Sequence, residues 1–236
     1  MNSGIDQNGM PKTKVAKNDQ RFGNWGLRVS DNKQELINNI ENEDSSQIGR
    51  DPDFAVTAAE HAVGLTIMSM RGFDSFFIDQ KNKEFNHKQF RTINKKIVAI
   101  IGNGGVGGRI KQFMSTFYPL TQVYAFSKDG HDQSFTMDKF DALIPKLDII
   151  IIAIPLSDET YHTMSKERIR NMKDGALLVN SGRADLIDQE ELMNHLYQKR
   201  IFAAVDEVNP TVLPKDHPMW DAPNLIMTPH IGINVI

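Results

Sequence analysis

Five glycines fall within seven residues of AIIGNGGVGGRI, residues 99–110, directly after an apolar run and directly before a charged segment. Gly102, Gly104 and Gly107 stand at the spacing G-x-G-x-x-G, with Gly105 and Val106 between the last two. The chemistry that asks for this spacing is phosphate binding. The first glycine permits a tight turn, the second lets a pyrophosphate approach the backbone, and the third lets a helix pack closely on a strand. Free N–H groups and the positive end of the helix dipole then face the phosphates. A glycine-rich turn without a ligand is the plainer alternative. The flanking strand and amphipathic helix favour the dinucleotide.

Which dinucleotide depends on the next strand. In an NAD site that strand usually ends in Asp or Glu, which binds the adenosine ribose hydroxyls. Here VYAF ends in Ser127 and Lys128. A hydroxyl and a cation accept a 2′-phosphate, so the sequence favours NADP over NAD. Asp129 counts the other way, since a turned loop can still present its carboxylate.

The elements that must position these residues are legible as alternation. Apolar, β-branched runs cover 96–102, 122–127, 147–155, 176–182, 202–208 and 224–230. Several are apolar at nearly every position, as in strands covered on both faces of a parallel sheet. Between them lie helix-period segments. Ile110, Phe113, Met114 and Phe117 follow i, i+3, i+4, i+7 spacing, which predicts one buried face. Residues 188–200 open with Asp188 and Glu191 in a capping-box pattern. Residues 55–72 read as a long apolar helix, in the core or at a subunit interface. Residues 19–53 are polar and read as a surface insertion with one short helix around 33–40. The alternation predicts an α/β fold, a doubly wound parallel sheet of the Rossmann type.

Composition narrows the function classes. The 236 residues contain no cysteine and carry a formal net charge of −3. Disulfides, thiolate catalysis and thiolate zinc sites are excluded. The absence of a basic run argues against a nucleic-acid binder. The apolar run at 147–156 is too short to cross a bilayer, and the N-terminus has no signal core. A cytoplasmic protein without a bound metal is the expectation. His61, His87 and His131 have no partner at ligand spacing and read as ordinary packing or surface residues.

From Ala55 onward the chain resembles the D-isomer-specific 2-hydroxyacid dehydrogenases, of the glyoxylate/hydroxypyruvate reductase kind. The resemblance rests on AAEHAVGLTI, VAIIGNGGVGGRI, IPLSDETYHTM with MKDGALLVNSGRADLID, AAVDEVNPTVLPKDHPMW, and NLIMTPHIG, five motifs in order. It implies an oxidoreductase moving a hydride between a nicotinamide cofactor and a small 2-oxo or 2-hydroxy acid such as glyoxylate, hydroxypyruvate or pyruvate. Reduction of a 2-oxo acid needs a cation for the carboxylate and a proton donor at the carbonyl oxygen. Arg183 and His230, at the ends of two predicted strands, suit these roles, because a guanidinium binds carboxylates bidentately and an imidazole titrates usefully. The resemblance further implies that Asp206 contacts the nicotinamide carboxamide and that Pro155, Thr160 and Gly182 line that side of the cofactor. Ser3 and Gly4 resemble the short loop whose N–H groups hold the substrate carboxylate. A homodimer formed through the 55–72 helix is expected.

Two departures stand out. The family's histidine pairs with a Glu a few residues beyond the Asp, and the matching position here is Thr211. Glu207 directly follows Asp206 and is expected to point away from the strand end, leaving His230 without its carboxylate and reduction favoured at lower pH. The chain is also short for the family's substrate domain. The expected division is a remnant and insertion at 1–53, a Rossmann domain at 54–230, and the start of a return segment at 231–236. A non-catalytic dinucleotide-binding module, or a phosphoglycerate dehydrogenase-like enzyme, is the alternative reading.

Overall fold

A computed structural model describes residues 52–130 and 133–232. Ser3, Gly4 and the expected short helix around 33–40 lie outside them, as do His131 and the last four residues. Two helices come first, α1 (Pro52–Arg71) and α2 (Phe73–Asn82). The alternation then begins with β1 (Ile97–Ile101), α3 (Gly105–Phe117), β2 (Gln122–Phe126) and α4 (Met137–Leu143). It continues through β3 (Ile149–Ile152), α5 (Lys166–Asn171), β4 (Leu177–Asn180) and α6 (Gln189–Tyr197), and ends with β5 (Phe202–Val205) and β6 (Leu225–Met227).

The six strands form one parallel sheet in the order β2-β1-β3-β4-β5-β6. The chain steps outward from β1 to β2, then crosses back to lay β3 on the other side of β1. Loops leaving β1 and β3 therefore diverge, and the carboxyl ends of those strands open a crevice at the switch point, where such sheets bind ligands.

Side-chain alternation explains why the strands are apolar throughout. Val98 and Ile100 of β1 join Ile149, Ile151, Leu177 and Val179 against α1 and α3. Ala99 and Ile101 join Ile150, Ile152 and Leu178 against the helices of the other face. All four isoleucines of β3 are fully buried, as expected of a central strand with helices on both faces. Helix α1 packs on α3, β4 and β5 and is a core helix.

Helix α3 departs from the expected single buried face. Ile110 and Met114 are fully buried, but Phe113 is 37% and Phe117 68% exposed. The two rings stack on each other in the solvent layer, centroids 5.3 Å apart. Four apolar residues span a wider arc than the sheet covers here, and the outer pair shields itself. At α6 the capping pattern holds in half: Asp188 accepts from the Glu191 N–H at 3.0 Å, while the Glu191 carboxylate turns to Arg170 and His195.

Candidate active site

The turn after β1 is built as the glycine spacing demands. Gly102 has φ 107°, a conformation L-residues rarely adopt, and a Cβ there would strike the Ala153 backbone. A Cβ on Gly107 would strike the Gly102 carbonyl, so the third glycine is what lets α3 approach β1. Around Gly104 nothing lies within 4 Å of an added Cβ. That open space lies at the N-terminal end of α3, whose N-cap residue Gly104 offers no side-chain cap. The first-turn N–H groups are thus left for a ligand.

This turn forms one wall of a cleft of about 850 Å³. Gly105, Val106, Ser127 and Lys128 line it at the β1–β2 end. Pro155, Thr160, Gly182, Arg183, Asp206 and His230 line it toward β3, β4 and β5. The predicted site residues within the described range therefore meet in one crevice, except Gly107, which packs against the Gly102 carbonyl. Open space at the second glycine, an uncapped helix and a cleft of this size fit a dinucleotide.

At the β2 end of the cleft, Ser127 and Lys128 have partners within the protein. The Ser127 hydroxyl accepts from the Gly130 N–H at 3.0 Å and bonds the Ser134 hydroxyl at 2.6 Å, so it shapes the turn after β2. Lys128 is exposed and donates to Glu159 at 2.9 Å from across the cleft. Its ammonium is held charged by that hydrogen bond and by the charge of Glu159. Glu159 lines the cleft and was not singled out in the sequence, because a carboxylate in a polar loop carries no pattern.

Arg183 is positioned by Asn180, the fully buried last residue of β4. The Asn180 amide donates to the Arg183 carbonyl at 2.8 Å and accepts from the Gly182 N–H at 3.0 Å, closing the loop on itself. A polar residue ending an otherwise apolar strand was the available signal.

Asp206 has a structural part besides the one the resemblance implies. Its Oδ1 accepts from the Thr228 hydroxyl and, at 3.0 Å, from the Ile231 N–H, while His61 Nε2 of α1 stands 3.0 Å away. Its Oδ2 accepts from the Gly232 N–H at 2.8 Å. The His230 N–H donates to the Asp206 carbonyl at 2.7 Å. The turn bearing His230 thus hangs on Asp206, which holds His230 at φ 55°. Burial works against charge on this carboxyl. Hydrogen bonds from His61 and Thr228, the His61 charge and the Ile231 N–H outweigh it and hold the carboxyl at about 2. Both oxygens have partners within the protein, in a residue that also lines the cleft. His61 is correspondingly part of the site's scaffold, which spacing along one helix could not reveal.

Arg183 Nη1 lies 3.1 Å from His230 Nε2. A guanidinium only donates, so this contact makes Nε2 the acceptor and leaves the ring proton on Nδ1. Glu207 Oε2 is 3.4 Å from that Nδ1 and 3.8 Å from Arg183 Nη1. The expectation that Glu207 points away is overturned. The β5 ladder ends at Val205, so side-chain alternation stops there and the backbone at 206–207 turns both carboxylates toward the β6 turn. Thr211 lies with Glu207 and His230 around a second cavity of about 260 Å³. A guanidinium, an imidazole and a carboxylate so arranged can hold an anionic substrate and deliver a proton beside it.

Comparison with known proteins places this geometry. Residues 63–232 match the model of the D-isomer specific 2-hydroxyacid dehydrogenase NAD binding domain. The chain belongs to that family. An uncharacterized protein in the proB 3′ region of Corynebacterium melassecola is 33% identical over 190 residues, 75% of this chain and 60% of that protein. The glyoxylate reductase of Thermofilum pendens is 32% identical over 144 residues, 58% of this chain and 42% of that enzyme. The chain thus spans about half the length of these curated relatives. The structure of the NAD-dependent formate dehydrogenase from Staphylococcus aureus in complex with NAD superimposes with a TM-score of 0.68 at 26% identity. That match covers 75% of this chain and 55% of the other. Among the described residues no helix is long and apolar enough to cross a membrane, and no cluster of acidic or histidine side chains could hold a metal ion.

Proposed function

We propose that this chain carries the catalytic half of an NAD(P)-dependent reductase of small 2-oxo acids, glyoxylate and hydroxypyruvate first among them. The observation that carries the reading is the 3.1 Å contact of Arg183 with His230 in the same cleft as the glycine turn. The bound nicotinamide supplies the hydride that goes to the carbonyl carbon. Arg183 takes the substrate carboxylate in a charge-assisted pair. That engagement draws the guanidinium from His230 Nε2, which is then available for a proton. His230 Nε2–H donates to the carbonyl oxygen as it gains charge, leaving the 2-hydroxy acid. Thr160 and Gly182 bound the nicotinamide side of the cleft. The Thr160 hydroxyl is fixed at 2.7 Å from the Pro155 carbonyl, which keeps that wall in place. Lys128 favours NADP, since its ammonium suits a 2′-phosphate better than it suits free ribose hydroxyls.

The test is a fluorescence titration of the purified chain with NADPH and NADH, followed by glyoxylate or hydroxypyruvate in the same cuvette. Binding of a reduced cofactor and loss of its nicotinamide absorbance on adding the acid is the expected result. Failure to bind either cofactor overturns the reading of the glycine turn. Binding without turnover overturns the catalytic assignment of Arg183 and His230 for this chain.

A further inference from the structure

Glu207 is a carboxylate in a costly place. Its side chain is 10% exposed, and Oε2 is fully buried with no hydrogen-bond donor in proper geometry among the described residues. A buried carboxylate without compensation is strongly disfavoured, so such a group persists where positive charge stands beside it. Here two sources face it, the guanidinium of Arg183 at 3.8 Å and the Nδ1 edge of His230 at 3.4 Å. Glu207 contributes to the smaller cavity behind His230 and is not among the residues lining the cleft. It therefore reaches the chemistry only through other side chains.

We propose that Glu207 is the positioning carboxylate of His230, holding the ring through Nδ1–H and stabilising the imidazolium once Nε2 gains its proton. The inference rests on the reading of His230 as the proton donor. The electrostatic surroundings make such a partner necessary. Arg183, from the loop after β4, presses a positive charge on Nε2 and disfavours protonation. From the loop after β5 come Asp206 and Glu207, but the Asp206 carboxylate is taken up by His61 of α1, Thr228 and two backbone N–H groups. Among the described residues, Glu207 is the carboxylate that faces the ring, at 3.4 Å from Nδ1.

Thr211 sharpens the assignment. It stands where the resemblance puts a Glu, and it lines the same 260 Å³ cavity as Glu207 and His230. On the proposed reading, the carboxylate that the resemblance puts at 211 is supplied here from position 207.

The experiment compares the wild-type chain with Glu207→Gln, Glu207→Asp and the double variant Glu207→Gln/Thr211→Glu. Two readouts are taken: the pH profile of 2-oxo acid reduction, and the cofactor-free NMR titration of the His230 ring. In Glu207→Gln the alkaline limb and the ring's titration midpoint should both fall by about one pH unit, with about a tenfold loss of rate on the alkaline side. The shorter Asp should give an intermediate value, which also serves if the Gln variant does not fold. The double variant should recover part of the shift, because position 211 lines the same cavity as His230. An unchanged His230 midpoint in folded Glu207→Gln overturns the proposal. The NMR midpoint needs no turnover. A midpoint that follows Glu207 in a chain without reductase activity upholds the pairing and sinks the proposed function. Turnover with an unmoved midpoint does the reverse.

Discussion

His61 Nε2 stands 3.0 Å from the carboxylate of Asp206, joining two residues 145 positions apart. The contact ties α1, which precedes the glycine turn, to the turn that carries His230. Asp206 is thereby a junction: one carboxylate fastens a core helix, the Thr228 hydroxyl and two backbone N–H groups at once. Its low proton affinity makes the junction sensitive to acid. Since the folded-state value is depressed from 3.8 to about 2, the stabilisation is complete above about pH 4 and is lost as pH falls toward 2. The amount is about 2 kcal/mol. Thermal melts from neutral pH down to pH ~2 should show this loss. Asp206→Asn should be less stable at neutral pH and should lose less on acidification. A variant that melts in parallel with the wild type at every pH would remove the junction role.

The proton donor and the anion holder can be separated by what each variant retains. His230→Gln keeps Arg183 and the whole glycine turn, so cofactor binding should be unchanged. Reduction should fall by about 10²–10⁴-fold, the usual contribution of a positioned general acid. Arg183→Gln should raise KM for the 2-oxo acid and lower kcat, since it removes a group that holds the substrate and polarises the carbonyl. Stopped-flow cofactor binding and steady-state kinetics on the two variants check this directly. A His230→Gln variant with near wild-type rates would dismiss the proposed mechanism.

The glycine turn allows a sharper pair. Gly107→Ala puts a methyl group against the Gly102 carbonyl, whose carbon would lie 2.8 Å away. The helix must shift off the strand, at a cost of about 1–3 kcal/mol, and cofactor affinity should disappear with it. Gly104→Ala places its methyl in open space at φ −78°, an ordinary conformation. Its melting temperature should be unchanged while cofactor affinity falls about tenfold or more, because the methyl occupies the space that lets a pyrophosphate approach. If Gly104→Ala binds the reduced cofactor normally, the phosphates do not sit at this turn.

How much of this was legible in the sequence follows from how local each signal is. The glycine turn is fully local: five residues set the backbone, and the neighbouring strand and helix confirm the context. Arg183 and His230 were legible because both follow apolar runs, and strand ends converge on one crevice in a parallel sheet. The structural part of Asp206, the partner of His61 and the direction of Glu207 were not legible for a different reason. Their roles depend on where β5 stops. One more residue of ladder would have turned Glu207 away, and nothing in FAAVDEV marks Val205 as the last paired residue. His61 looked unpartnered because its partner is 145 residues distant. Phe117 illustrates the converse: its spacing matched a buried face, yet only packing decides how wide that face is.

The proposed preference for NADP rests on Lys128 and is opposed by Glu159. In the cofactor-free cleft the ammonium is paired to Glu159 at 2.9 Å, with both side chains more than 70% exposed. A 2′-phosphate would compete with Glu159 for Lys128 and would also meet the repulsion of that carboxylate. Free ribose hydroxyls would instead find in Glu159 an acceptor. The two residues therefore pull in opposite directions, and their variants should move the two cofactors oppositely. Lys128→Ala should weaken NADPH by about tenfold, most clearly at low salt, and leave NADH nearly unchanged. Glu159→Gln removes the competitor and should tighten NADPH while weakening NADH. Raising salt should erode the proposed NADPH preference of the wild type and have little effect in Lys128→Ala, because an exposed charge pair is screened over about 10 Å at ~0.1 M salt. Fluorescence titrations of both cofactors at two salt concentrations provide the readout. Equal losses for NADPH and NADH in Lys128→Ala would mean that Lys128 contacts a group common to both, and the preference for NADP would have to be given up.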